Sequence, residues 1–195
     1  MLGCLLEKQL ATPNVYPLTL NTLVAAANQT SNRDPIVTYG DADVSEALAG
    51  LREKGAARIV FGSGQRAEKY RHVLDDVWGL DEQHRAVLCV LMLRGPQTVG
   101  ELRGRTERMH EFADMEEVER VLEALADREA QSLVARAARG RWAQLLGGPP
   151  QETADSPVAP APVPTNSRLE ERVSALEREL AELRASMEAF RRQFE

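Results

Sequence analysis

The chain has 195 residues, 43% of them hydrophobic but only 5% aromatic, and it carries 24 basic against 30 acidic side chains. That length allows one large domain or two small ones, and an aliphatic core suits small helical domains better than an aromatic-rich β-sandwich. A formal net charge of −6 excludes the strongly basic balance of a general nucleic-acid coat. The acidic excess is spread along the chain, so no segment reads as a basic tail.

Taken in chain order, the first unit opens with an apolar helix over residues 2–10 that contains Cys4. Turns at Thr12-Pro13 and Tyr16-Pro17 follow. A second helix over 18–28 puts Leu20, Leu23, Val24 and Ala27 on one face. A polar loop spans 29–40. Asp41 or Asp43 caps a third helix carrying Val44, Leu48 and Leu51 at i, i+4 and i+7. Lys54-Gly55 ends it with a cation and then a glycine. Residues 57–61 read as a strand, 62–64 as a turn and 68–73 as the return strand.

A second unit repeats this order after about 80 residues. An apolar helix over 81–93 contains Cys89 and is broken by Gly95-Pro96. A short helix covers 99–107. A longer one covers 115–128, with Val118, Val121, Leu122 and Leu125 on one face. Segments 133–137 and 141–145 form a ribbon around Arg139-Gly140. Three helices followed by a hairpin, twice, predict a mainly α fold with small β-hairpins (α+β): two tandem winged helix-turn-helix domains, residues 1–78 and 79–146.

Residues 147–167 hold six of the ten prolines and read as an extended linker. The segment 168–195 then alternates steps of four and three. Leu169, Val173, Leu176, Leu180, Leu183, Met187, Phe190 and Phe194 form a heptad seam. This predicts a coiled-coil homodimer; the competing reading is an amphipathic helix folded back on the winged domains.

The stretch Leu6-Glu-Lys-Gln-Leu-Ala-Thr-Pro-Asn-Val-Tyr-Pro-Leu18 resembles the signature of the bacterial YceH family. So do Asn28-Gln-Thr-Ser-Asn-Arg-Asp-Pro35, Leu93-Arg-Gly-Pro-Gln-Thr98, Glu101-Leu-Arg103 and Arg108-Met-His-Glu-Phe-Ala-Asp-Met115. The resemblance covers nearly the whole chain. It implies two winged-helix domains and no particular biochemical activity. Members of that family usually begin about ten residues earlier, which implies that this chain lacks the first turns of its opening helix or that its start is misassigned.

Several groups of side chains bear on function. Basic residues gather as Arg66, Lys69 and Arg71 on the first wing, as Arg103, Arg105 and Arg108 around the second helix of unit two, and as Arg136, Arg139 and Arg141 on the second wing. They are either phosphate contacts or solvated faces paired with Glu68, Glu101 and Glu107. The loop residues Asn28, Gln29, Asn32 and Arg33 either cap helix ends or form a polar contact surface. The third helices, where a major groove is usually read, are acidic: Asp41, Asp43, Glu46 and Glu53 against Arg52 in unit one; Glu116, Glu117, Glu119, Glu123 and Asp127 against Arg120 and Arg128 in unit two.

The two cysteines occupy matching places on the first helices and read as small buried apolar groups. They form no CxxC motif and suit a reducing cytosol. Met1-Leu-Gly-Cys4 has no charged and apolar leader before it and is not read as a lipoprotein box. No apolar run reaches the ~18 residues that span a membrane. His72, His84 and His110 lack ligand spacing, so neither metal nor cofactor is expected. The sequence therefore predicts a cytoplasmic, non-enzymatic dimer. It binds double-stranded DNA as a regulator would, or it is an adaptor that docks another protein on the same scaffold.

Overall fold

A computed structural model describes residues 1–61 and 67–148. Arg66, the 62–64 turn, nearly all of the linker and the heptad segment 168–195 lie outside the described residues.

Helix α1 (Leu2–Ala11) buries five consecutive residues, Gly3 to Glu7. A helix with one wet face cannot do that; α1 is enclosed from two sides. Cys4 and Leu5 face a core built from Leu18, Leu23, Ala26, Ala27, Val44, Leu48 and Ala57. Leu6 faces a second core with Val87, Leu88, Leu91, Leu102, Leu122, Leu125 and Trp142. A Cβ on Gly3 would sit 2.9 Å from the Leu93 side chain, so the absence of a side chain there sets how closely α1 meets α5 (Glu82–Arg94).

After a 3-10 turn (Pro13–Val15), Leu18 pairs with Tyr70 through two backbone bonds of 3.1 and 2.7 Å. Thr19 caps α2 (Leu20–Ala27) by accepting from the Thr22 N–H. The carboxylate of Asp43 accepts from the Gly40 N–H at 2.8 Å, and fixes the start of α3 (Asp41–Glu53). Gly55 turns the chain out at φ +66°, the left-handed region that glycine tolerates. β1 (Ala57–Val60) and β2 (Lys69–His72) form an antiparallel hairpin with Ala57 opposite His72 and Val60 opposite Lys69.

The second repeat has the same order. It follows a short helix α4 (Leu74–Trp78) that the periodicity of the sequence does not place. Asp81 caps α5 and Thr98 caps α6 (Val99–Thr106). In α6 the capping box is complete: Glu101 N–H donates to Thr98 Oγ1 at 3.3 Å, and Thr98 N–H donates to Glu101 Oε2 at 2.8 Å. Asp114 caps α7 (Met115–Ala126), which buries Val118, Val121, Leu122 and Leu125 on one stripe. β3 (Val134–Ala137) pairs with β4 (Arg141–Gln144), and Gln97 pairs with Trp142 as Leu18 does with Tyr70.

The observed class is α+β. Each repeat runs helix, short extended segment, helix, helix, hairpin, and the extended segment joins the hairpin as a third antiparallel partner. The boundary that the sequence places between residues 78 and 79 falls between two repeats that α1 joins by packing on α5. No described helix is long and apolar enough to cross a membrane.

Candidate nucleic-acid interface

Cross-strand partners share a face of a hairpin. Ala57 with His72 and Ile59 with Tyr70 therefore make one face of β1–β2, and Arg58 with Arg71 and Val60 with Lys69 make the other. The first face is sealed against the core, with Ala57 and His72 buried. The second presents three cations. Arg58 and Lys69 form no side-chain ion pair or hydrogen bond among the described residues, and Arg71 reaches Asp76 at 3.3 Å. Like charges directly opposite each other cost a few tenths to about 1 kcal/mol, and an anion lying across them removes that cost. Composition and spacing do not single out Arg58; the signal that identifies it is the strand register, which sets it opposite Arg71.

The sealed face anchors the ribbon. The His72 N–H donates to Tyr16 Oη at 2.8 Å. His72 is fully buried, and its Nδ1 accepts the Leu74 N–H at 3.3 Å. That leaves the ring proton on Nε2, which donates to Gln9 Oε1 at 2.5 Å; Arg85 donates to the same oxygen at 3.1 Å. Burial pushes the His72 pKa down to about 4, against the opposing pull of Asp75. The ring is neutral at pH 7, and its 3.7 Å approach to Asp75 is then not an ion pair. Burial pushes the Tyr16 phenol well up, so it stays protonated.

The basic residues of the second repeat are more heavily engaged. Arg103 donates to the carbonyls of Phe112 and Ala113 at 3.4 and 3.0 Å, which fixes the loop before α7. Arg141 donates to Pro96 O at 2.9 Å and Glu101 Oε2 at 3.0 Å, and Arg105 lies 3.6 Å from Glu101. Burial would raise the Glu101 pKa, but its bonds from Thr98 and the two arginines leave it lowered. Arg136 covers the Trp142 ring at 4.6 Å. Arg139 sits at the hairpin turn with φ 60°, and Arg108 is exposed.

The polar loop is a clamp. Asn28 both donates to Tyr39 O (2.8 Å) and accepts from Tyr39 N–H (2.7 Å), closing the loop at its base. Arg33, which the sequence allows as part of an exposed contact surface, is 7% exposed. Its guanidinium makes two bonds to Glu7, at 2.7 and 3.1 Å, and others to Ala26 O and Gln29 Oε1. Burial alone would lower the Arg33 pKa; the Glu7 carboxylate outweighs it and leaves it raised. Next to it, the Asp34 N–H donates to Leu93 O at 2.9 Å, tying the loop to α5. Of the four loop residues, Asn32 is exposed, with Asn28 and Gln29 half-buried.

The third helices are acidic on their outer faces. Glu116, Glu119 and Glu123 of α7, and Asp127 just after it, are exposed beside Arg120. Glu117 departs from the sequence expectation: it is half-buried and accepts from Ala113 N–H and Gln83. Arg128 donates to Trp78 O at 2.7 Å. Cys4 and Cys89 are both free and buried, and Cys89 Sγ donates to Gly3 O. Burial pushes the Cys89 thiol pKa up, so no reactive thiolate forms there. Among the described residues no group of three His, Cys, Asp or Glu side chains comes together to hold a metal.

A family model described as a protein of unknown function, DUF480, matches residues 1–141. A UPF0502 protein of Geobacter metallireducens is 50% identical over 213 residues, covering 100% of this chain and 95% of its own length. UPF0502 proteins of Pelobacter propionicus (45% identity) and Geobacter sulfurreducens (47%) align over the same shares of both chains.

Proposed function

The chain belongs to the DUF480 family of proteins of unknown function, and on that premise we propose that it is a non-catalytic, cytoplasmic DNA-binding protein whose two repeats are winged helix-turn-helix units. The repeat order supports the fold reading: the short extended segments at Leu18 and Gln97 each pair with the hairpin that follows three helices. The observation that carries the DNA reading is the outward face of β1–β2, where Arg58, Lys69 and Arg71 stand together. Phosphates are the natural counter-charge for such a strip. The acidic outer faces of α3 and α7 repel phosphate, so the hairpin and not a third helix leads the contact. The heptad segment 168–195 supplies a homodimer, which doubles the number of hairpins and so raises avidity.

The test is fluorescence anisotropy of a labelled random-sequence duplex, titrated at several salt concentrations. Binding weakens linearly on a log–log plot. Arg58→Glu with Lys69→Glu flattens that slope by at least about 0.9 for each phosphate no longer neutralised. An unchanged slope would remove the hairpin from the interface.

A second reading has one observation behind it. The exposed α7 carboxylates Glu116, Glu119 and Glu123 suit a basic segment of a partner protein better than they suit DNA. In that case reversing Glu119 and Glu123 releases a co-purifying protein, and DNA binding is absent even at low salt.

A further inference from the structure

The second repeat gathers three guanidinia around one carboxylate. Glu101 stands in the first turn of α6 and is fixed there by Thr98, whose N–H and Oγ1 both donate to its Oε2, at 2.8 and 3.1 Å. Arg141, the first residue of β4, donates to the same oxygen at 3.0 Å, and Arg105, one turn along α6, lies 3.6 Å from the other. Arg141 also donates to Pro96 O at 2.9 Å, in the turn that follows Arg94 at the end of α5. One carboxylate thus holds two arginines in place, and each keeps N–H groups that no described residue accepts.

Arg94 is the third. Its side chain makes no hydrogen bond or ion pair among the described residues, and its Nε–H is buried without an acceptor. Its nearness acts on Arg105: burial, then the Arg94 charge, with a smaller push from Arg141, holds the Arg105 pKa below its ordinary value against the pull of Glu101 and Asp34. With Arg105 itself, the three cations of this group outnumber its two carboxylates. The carbonyls that end α5 would oppose an anion. Gln97 Nε2 covers them, donating to Arg94 O, Gly95 O and Pro96 O at 3.1, 3.3 and 2.9 Å.

Like charges held this close repel unless something negative joins them. Glu101 offers two oxygens in one plane, and both are engaged. A tetrahedral phosphate offers oxygens in several directions, which suits guanidinium forks arriving from three elements.

We infer that Arg94, Arg105 and Arg141 bind one phosphate group, with Glu101 setting the Arg105 and Arg141 forks and Arg94 supplying the free one. The site does not rest on the DNA reading, which stands on the β1–β2 hairpin. The phosphate is either free, as inorganic phosphate or a phosphomonoester, or part of a duplex backbone; the same donors serve both.

The test titrates the full chain with inorganic phosphate in a calorimeter, at constant ionic strength set by chloride. The parent gives saturable heat at millimolar phosphate or below. Arg94→Gln weakens that binding at least about tenfold, as expected for one lost charged hydrogen bond, and melts as the parent does because Arg94 holds no other side chain. Arg105→Gln weakens it too. Anisotropy of a labelled duplex then separates the sources. A salt slope that flattens by about 0.9 in Arg94→Gln assigns the phosphate to DNA. Saturable phosphate heat with an unchanged duplex slope assigns it to a free phosphoryl ligand. A chain that binds phosphate but no duplex refutes the DNA reading and leaves this site standing. No phosphate heat together with an unchanged slope overturns the inference, as does phosphate binding that Arg94→Gln and Arg105→Gln leave intact.

Discussion

The Glu7–Arg33 pair gives a stability prediction that can be worked from the structure. Their side chains are 10% and 4% exposed and meet at 2.7 Å. Arg33→Met leaves the Glu7 carboxylate without its main partner. Stranding one member of a buried pair costs about 3–5 kcal/mol. Lys8, 3.9 Å from Glu7 and partly exposed, supplies some replacement charge. That pulls the expected loss to the low end, about 3 kcal/mol. Glu7→Gln strands the guanidinium but leaves it the Ala26 and Asn32 carbonyls, and should cost about 2 kcal/mol. The double variant Glu7→Leu with Arg33→Met removes both charges and their desolvation, and should return to within about 1 kcal/mol of the parent. Urea unfolding followed by circular dichroism measures all three. With an m-value of about 2 kcal/mol/M, Arg33→Met lowers the midpoint by about 1.5 M. A loss below about 1 kcal/mol for Arg33→Met, or a double variant as unstable as the worse single one, would refute the reasoning that the charges constrain each other.

Other consequences are equally direct. The folded-state pKa of His72 lies near 4, below the unfolded value of about 6.5. Its contribution is full above pH 6.5 and is lost as pH falls towards 4, by about 3 kcal/mol in all. His72→Gln should flatten that part of the stability profile, and a profile parallel to the parent's would count against it. Gly3→Ala drives a methyl into Leu93 and should destabilise by about 1–3 kcal/mol; a neutral effect in thermal melts would show that α1 and α5 have room to separate. Removing residues 168–195 should halve the mass seen by light scattering, and a monomeric full-length chain would exclude the heptad dimer.

The order of elements is legible because periodicity, caps and glycines are local signals. The stripe of α7 and the hairpin around Arg139-Gly140 both lie within a dozen residues of what determines them. Two kinds of feature are not legible. One is pairing across distance. Arg33 reads as a helix-end cap or a surface contact until α1 brings Glu7, 26 residues away in sequence, against it, and Leu18 reads as the start of a helix until Tyr70 claims its backbone. The other is register. Arg58 matters because it faces Arg71, and a one-residue slip would have set it on the core side. Helix α4 escapes the sequence pattern for a related reason: its first N–H is held by the His72 ring, a partner outside the helix itself.

The double enclosure of α1 also bears on how the chain is made. Leu5 and Leu6 leave the ribosome well before α5, ending at Arg94, which supplies part of the surface that covers Leu6 and Gly3. At ordinary synthesis rates that is several seconds during which an apolar helix waits half-covered. Slow translation between residues 12 and 94 would lengthen the interval in which that apolar face is exposed to other chains.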